Sequence, residues 1–291
     1  MGEVMYFWGI ALIVFIIGLL LAAAISKPNS VYKNKPDMRN INEGKMVRFI
    51  EDENDPINAD GKRGHLEPTG DAVHHPSIYE NVIKRLIDII LSFCGLILLS
   101  PLFLIISLII FIDDPGPVFF TQRRVGKNKQ YFALHKFRSM KLATPHDVPT
   151  HMMGNADCYI TKVGRFLRVS SLDELPQIWD IFIGNMTIVG PRPALWNQDV
   201  LVAERDLYHA NDVIPGLTGW AQVNGRDELT IPEKARYDGE YVRNLSIVMD
   251  IRCFLKTISN VINRSGVVEG GTGPEDYQEK RRSEDGEDQT K

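Results

Sequence analysis

Cysteine is scarce in this chain: Cys94, Cys158 and Cys253 are the only three among 291 residues. They are scattered, odd in number and form no C-x-x-C, so neither a zinc site nor a disulfide framework is suggested. The seven histidines include no H-E-x-x-H, and His146 and His151, flanking the loop-like "DVPT", read as ordinary loop residues rather than a metal pair. Basic residues are not in excess either. The formal net charge is −4, which gives no sign of a nucleic-acid partner. That charge is local: from Glu269 onward eight acids face four bases, so the tail carries the whole imbalance and the body is balanced. No internal repeat is present. No Lys or Arg precedes the first long apolar run, at residues 5–25.

That run, "MYFWGIALIVFIIGLLLAAAI", has no charge and about the 20 residues a spanning helix needs. Its three consecutive alanines resemble a signal-peptidase site, but the run lacks a basic n-region and exceeds the apolar length of a secretory leader, so an uncleaved anchor is expected. Lys27, Lys33, Lys35 and Arg39 follow it, which places the N-terminus outside and residue 27 onward in the cytoplasm. Residues 27–78 are polar and rich in Pro, Asn and Asp, with no apolar period, and are expected to form a partly disordered linker. The last stretch, 269–291, is expected to be a disordered, solvated charged tail.

A second apolar stretch, "KRLIDIILSFCGLILLSPLFLIISLIIFIDDPG" at 84–116, carries Ser100-Pro101 in its middle. Proline lacks an amide hydrogen and its ring clashes with the preceding turn, so a helix kinks or breaks there. The halves, 86–99 and 102–112, are about 20 Å and 16 Å long at 1.5 Å per residue, each too short to span. Lys84 and Arg85 precede the stretch, and Arg123, Arg124, Lys127 and Lys129 follow it, which suits a helix that dips in and returns to one membrane face. A kinked spanning helix is also tolerated by bilayers, and the residues leave both readings open. Beyond it, 118–124 and 130–137 read as strands joined by "VGKNK", and helices are expected at 174–182, 197–209, 231–244 and 250–263.

Three clusters in this body carry chemical promise. In "RFLRVSSLDELPQIWD" adjacent Asp173 and Glu174 begin a helix. Ser171 and Glu174 match a capping box, and acids in a first turn complement the helix dipole. Arg165 and Arg168 just upstream point instead to a phosphate site, where a carboxylate can attack phosphorus once cations offset the like charges. In "VGPRPA", prolines flank Arg192 and stiffen a fork suited to phosphate. In "PGLTGWAQVNGR", Gly216, Gly219 and Gly225 permit close backbone approach, Arg226 is a further phosphate candidate, and Trp220 is either a stacking platform or core. Lys136 and Arg138 of "HKFRSM" add charge, and Asp250 opens an apolar helix, where a cap is the default reading.

"KFRSM", "SLDELPQ", "VGPRP" and "PGLTGWAQVNGR", in this order after a Ser-Pro-broken apolar helix, resemble the bacterial sugar transferases, and among them the monotopic phosphoglycosyl transferases. The resemblance covers about residues 82–265. It implies an α+β fold with a mostly helical cytoplasmic catalytic domain at 79–268; the single N-terminal transmembrane helix at 1–26 and the linker at 27–78, read from composition, lie outside the resemblance. That domain would have a small β-hairpin and a re-entrant membrane helix at 84–112. It implies transfer of sugar-1-phosphate from a nucleotide sugar, usually a UDP-sugar, to polyprenyl phosphate at the bacterial inner membrane, with UMP released. Asp173 is then the nucleophile, Glu174 helps hold Mg2+, Arg168, Arg192 and Arg226 bind phosphate or nucleotide, and Lys136 and Asp250 match further family positions at the substrate. The expected partners are the nucleotide sugar, polyprenyl phosphate and the lipid bilayer, with no nucleic acid; a homo-oligomer is compatible with the sequence. The chain departs from many relatives at Asn211-Asp212, where Arg-His is common, and at Asp180, where Asn is common; both departures bear on the sugar donor. Nucleotide sugars are cytoplasmic, so re-entry at 84–112 keeps Asp173 with its donor. The rival readings are a membrane-anchored scaffold of glycan assembly with a degenerate site, and a later glycosyltransferase that would release UDP.

Overall fold

The computed structural model describes residues 42–72, 74–144, 158–225 and 228–263. The apolar run 5–25, His146, His151, Arg226 and the acidic tail lie outside the described residues. Strand β1 (Lys45–Glu51) and β2 (Gly64–Asp71) form an antiparallel hairpin. A π-helical turn, Tyr79–Lys84, leads into α1 (Arg85–Leu98) and α2 (Ser100–Asp113). Strands β3 (Phe119–Val125) and β4 (Tyr131–Phe137) pair antiparallel. Then follow α3 (Lys162–Val169), a 3-10 turn at Leu172–Glu174, α4 (Gln177–Ile183), β5 (Thr187–Val189) and α5 (Asp199–Asp206). Strand β6 (Gly216–Thr218) pairs parallel to β5, and α6 (Trp220–Val223), α7 (Ile231–Arg243) and α8 (Ile247–Asn263) complete the described fold. Among the described residues, helices together with three separate two-stranded ladders make this an α+β structure.

The expected strands and helices of the body are present, joined by α3, α6, β5 and β6, which the sequence reading does not name, and residues 45–71 depart from it. They were expected to lie in a linker, yet they form the first hairpin. The alternation in "KMVRFIE" is too short to announce itself, and the reason for order is tertiary. Val47 packs with Val125, Ala194, Leu201 and Val202. The Val47 amide donates to the buried Asp206 carboxylate at 2.6 Å, which also accepts from Lys129 Nζ at 3.1 Å and from Asn211 Nδ2 at 2.5 Å. A buried lysine–carboxylate pair is tolerable only when its remaining hydrogen-bonding capacity is satisfied. The Val47 amide and Asn211 supply part of that satisfaction.

At Ser100-Pro101 the helix breaks as expected. Pro101 stands in the first turn of α2, where its missing amide hydrogen costs nothing. The Tyr79–Leu98 and Ser100–Asp113 segments are bent by 59°, and Ser100 Oγ donates to the Ile97 carbonyl at 2.8 Å across the break. Among the described residues no single helix is long and apolar enough to cross a membrane, but this bent pair passes that test jointly. Its inner face packs onto the body: Phe103, Ile106 and Ile110 meet Phe137 and Leu167. Its outer face leaves large apolar side chains such as Leu91, Phe93, Leu108 and Phe111 exposed. Cys94 is exposed, on the side of its helix away from the buried Asp88, Ser92 and Leu96.

The basic residues flanking this pair do not serve as a simple charge signal. Lys84 pairs with Asp250, Arg85 binds carbonyls of α4, Lys127 lies 3.6 Å from Glu80 and Lys129 is buried against Asp206. Arg123 stacks near Tyr131 and Trp196. The bend and the exposed apolar face fit a broken span and a re-entrant loop alike.

Candidate active site

The Asp173-Glu174 pair sits in the 3-10 turn ahead of α4, and the capping-box alternative is not realised. Ser171 has a left-handed backbone (φ 55) and makes no side-chain cap, so Glu174 is free of that duty. The capping box that does form is at Thr230 and Glu233, at the start of α7. Glu174 instead is held by two cations. Lys136 Nζ, from β4, donates to its Oε1 at 2.9 Å, and Arg192 Nη2 donates to the same oxygen at 2.5 Å, with Nη1 3.4 Å from Oε2. Asp173 is buried at 8% exposure; its Oδ2 lies 3.9 Å from Lys136 Nζ, and no described donor hydrogen-bonds it.

Electrostatics divide the two acids. Burial pushes the Asp173 carboxyl up; Lys136, Arg168 and Arg192 oppose this, and the charge of Glu174 adds to it. Burial also favours protonation of Glu174, but Arg192 and Lys136 outweigh it and hold that carboxyl well below the usual carboxylate range. The pair therefore consists of one locked anion and one open carboxylate of raised basicity, the arrangement expected where environments push like groups apart.

Local packing explains the assembly. On α3, Gly164 lies over Ser139: a Cβ there would stand 1.9 Å from the Ser139 carbonyl oxygen. The close crossing lets Arg168 Nε donate to Ser139 Oγ at 2.9 Å, one residue past "KFR". Gly190 is pressed between Gly216 and Gly219, whose added Cβ atoms would approach its backbone to 2.1 Å and 2.3 Å, so the loop bearing Arg192 seats directly on the β6 turn.

The structure brings Lys136, Asp173, Glu174 and Arg192 together, with Arg168 near enough to act on Asp173. Arg226 lies outside the described residues. Asp250 stands apart: it accepts from Lys84 Nζ at 2.5 Å, Tyr79 OH at 2.7 Å and Tyr241 OH at 2.7 Å. It is therefore neither a helix cap nor a hydrogen-bonded neighbour of the carboxylate pair. Arg138 is buried, hydrogen-bonded to the Asp114 carbonyl where the chain leaves α2. Trp220 is core, packed with Val189, Tyr241 and Cys253.

The departures noted in the sequence are internal. Asp180 is fully buried, accepts from the His135 amide at 2.9 Å and pairs with the His135 ring at 2.8 Å. Asn211 and Asp212 are also buried. None of the three offers an exposed surface to a sugar.

One site neighbour escaped the sequence reading. Arg124 was counted only as flanking charge, yet its Nη1 donates to the Pro193 carbonyl at 3.0 Å, beside Arg192. Burial and the adjacent Arg192 lower its guanidinium to about 9, with Glu174 opposing, so it stays charged at neutral pH. Strand period could have found it: Phe120 pairs with Lys136, so Gln122 and Arg124 share the Lys136 face.

Two adjacent carboxylates, one with no hydrogen bond from a described residue, beside Lys136, Arg168 and Arg192, suit phosphoryl chemistry. For a divalent cation the donors fit: the Asp173 carboxylate has no described hydrogen bond, and Glu174 Oε2 has only the 3.4 Å contact. Mg2+ is commonly held by one or two carboxylates plus substrate phosphates.

Residues 79–264 match the family described as bacterial sugar transferase. The chain is 42% identical over 193 residues to a UDP-glucose:undecaprenyl-phosphate glucose-1-phosphate transferase of Xanthomonas campestris pv. campestris, covering 64% of this chain and 40% of that one. It is 40% identical over 192 residues to the protein of that name from Escherichia coli K12, covering 63% and 41%. It is 38% identical over 195 residues to the exopolysaccharide production protein PSS of Rhizobium leguminosarum bv. phaseoli, covering 63% of this chain and 96% of that one. The match thus spans about two fifths of the two longer relatives and nearly all of the shorter one. With the family match running through the whole catalytic body, the chain belongs to the bacterial sugar transferase family.

Proposed function

We infer that the protein transfers sugar-1-phosphate from a UDP-sugar to polyprenyl phosphate, releasing UMP, as an initiating step of cell-surface glycan assembly. The observation that carries this is the open Asp173 carboxylate beside a Glu174 locked by Lys136 and Arg192. An Asp173 oxygen attacks the phosphorus that bears the sugar; a P–O bond forms to Asp173 and the bond from that phosphorus to the UMP oxygen breaks. In the second half, a phosphate oxygen of the lipid attacks the same phosphorus and Asp173 leaves, yielding the polyprenyl-diphosphate sugar. Two steps let a soluble donor and a membrane acceptor use one site in turn. Bound Mg2+, reached by Glu174 and Asp173, would neutralise phosphate charge. Lys136, Arg168, Arg192 and Arg226 orient the diphosphate and offset its repulsion of the carboxylates.

The bent α1–α2 pair supports a re-entrant seat in the membrane, with the body on the cytoplasmic side where UDP-sugars are found. Helix α8 adds a stripe of exposed Ile247, Val248, Ile251, Phe254, Leu255 and Ile258, at spacings that share one helix face. Trp179 and Ile183 of α4 and Phe166 and Val169 of α3 are exposed as well. Apolar patches of this extent mark membrane or partner contact.

A scaffold with a degenerate site would not need the ion-paired carboxylates to be intact. The test is a panel of UDP-sugars, UDP-glucose first because two relatives are named for it, assayed with polyprenyl phosphate and Mg2+. UMP release is expected; UDP release would support a later glycosyltransferase, and release of neither would support the scaffold. A cysteine placed after Asp114 should resist impermeant reagent added from outside, and labelling there would overturn the re-entrant seat.

A further inference from the structure

The segment from Asp173 to Arg192 is a closed loop in space. It begins at the carboxylate pair, runs out along α4, turns at Gly184, returns along β5 and closes on itself through the Glu174–Arg192 contact. The far end of this loop is closed by its own Gly184 and Met186 amides on the Asp180 and Ile181 carbonyls, and it is also held from outside. Arg85, the first residue of α1, donates from Nη1 to the Ile181 carbonyl at 2.6 Å and from Nη2 to the Phe182 carbonyl at 2.7 Å. These are carbonyls of the last turn of α4, the end where a helix leaves carbonyls short of amide partners; the Gly184 amide also reaches the Ile181 carbonyl, at 3.1 Å. Gly184 stands close by, where a Cβ would lie 3.2 Å from Arg85 Nη2. One helical turn on, Asp88 is 3% exposed and holds β5 with both oxygens: Oδ2 accepts from Thr187 Oγ1 at 2.6 Å and Oδ1 from the Ile188 amide at 3.0 Å. The helix that enters the apolar pair thus grips both arms of the loop carrying Glu174 and Arg192.

We propose that Arg85 and Asp88 are positioning residues for the transfer reaction: by clamping the far end of the 173–192 loop they set the Glu174–Arg192 contact and the reach of the Asp173 carboxylate. The inference rests on the transferase reading. It assigns catalytic work to a helix that composition marks only as a membrane segment, and it ties the geometry of the site to the seating of that helix. Neither residue contacts Asp173 or Glu174, so their effect passes through the loop.

The test uses full-length protein in membranes or detergent. Thr187→Val removes the hydroxyl donor to Asp88 at nearly constant volume in a fully buried position. It should leave protein level, membrane retention and donor KM within about twofold of wild type. It should lower kcat for UMP release by about tenfold or more, as expected when reacting groups shift by a fraction of an ångström. Thr187→Ser, which restores the donor, should recover most of the loss. Arg85→Ala should behave as Thr187→Val does, with Arg85→Lys recovering part. Unchanged kcat in both Thr187→Val and Arg85→Ala overturns the proposal. So does a loss of rate that only tracks loss of folded, membrane-retained protein. Absence of UMP release from wild type with every UDP-sugar overturns the transferase reading itself, and the positioning role falls with it.

Discussion

Two acid clusters of this protein look alike in sequence and differ in what they can do. Asp173 and Asp250 each begin a helical segment, and each is matched with a lysine. Around Asp250 the described contacts fill the carboxylate: Lys84 and Tyr79 donate to it, and the single hydroxyl hydrogen of Tyr241 lies between it, at 2.7 Å, and the Val189 carbonyl, at 2.9 Å. Around Asp173 the donors are taken by Glu174 instead, and the Asp173 oxygens are left open. A carboxylate with its lone pairs filled is a strut between elements. A carboxylate kept close to cations but without hydrogen bonds is available as a reagent.

The strongest way to break this comparison is to exchange the acids for amides. Asp173→Asn should abolish UMP release and any labelled-sugar adduct while leaving the fold intact, because no described hydrogen bond depends on its charge. Turnover at the wild-type rate would refute Asp173 as nucleophile. Asp250→Asn should do the reverse in emphasis. It leaves Lys84, with only 9% of its side chain exposed, facing a neutral partner, and should lower stability by about 3 kcal/mol, the scale for breaking a largely buried pair. Thermal unfolding in detergent reads this, and a variant as stable as wild type would contradict the strut. A smaller effect separates the two acids by pH. Asp173 titrates above its ordinary 3.8 and Glu174 well below its ordinary 4.5. The Glu174 ion pair contributes stability that is present above 4.5 and lost only as pH falls through its depressed value. Protonation of Asp173 has the opposite sign and does not oppose folding in acid. On acidification activity should therefore fall first, with the protein still folded. Coincident midpoints for activity and near-UV circular dichroism would show that the two carboxylates are not divided in this way.

The body was legible because its signals are local. The strands around "VGKNK", the helix at 231–243 and the break at Pro101 follow from period, turn chemistry and the missing proline amide. The carboxylate pair, Lys136 and Arg192 were legible as motifs, though their contacts were not. Where the reading went astray, long-range contacts had decided. Residues 45–71 fold because Lys129, Asp206 and Asn211, which lie 82, 159 and 164 residues along the chain from Val47, build a buried site for its amide. Arg124 reads as flanking charge until strand period is combined with the Phe120–Lys136 pairing, which puts it on the Lys136 face. Lys84 and Arg85 were counted as topology signals, yet their partners are Asp250 and the end of α4.

What residue order determined alone was the inventory and its local geometry: a stiff Pro-Arg-Pro loop, adjacent acids at a turn, and an apolar stretch that must break in its middle. These depend on bond angles, missing hydrogens and spacing within a few residues. Which acid stays open, which cations neutralise the other, and which helix holds their loop depend on side chains about a hundred residues apart, as with Asp88 and Thr187. Those are competitions for a limited set of buried donors, and only the packed tertiary structure could settle them.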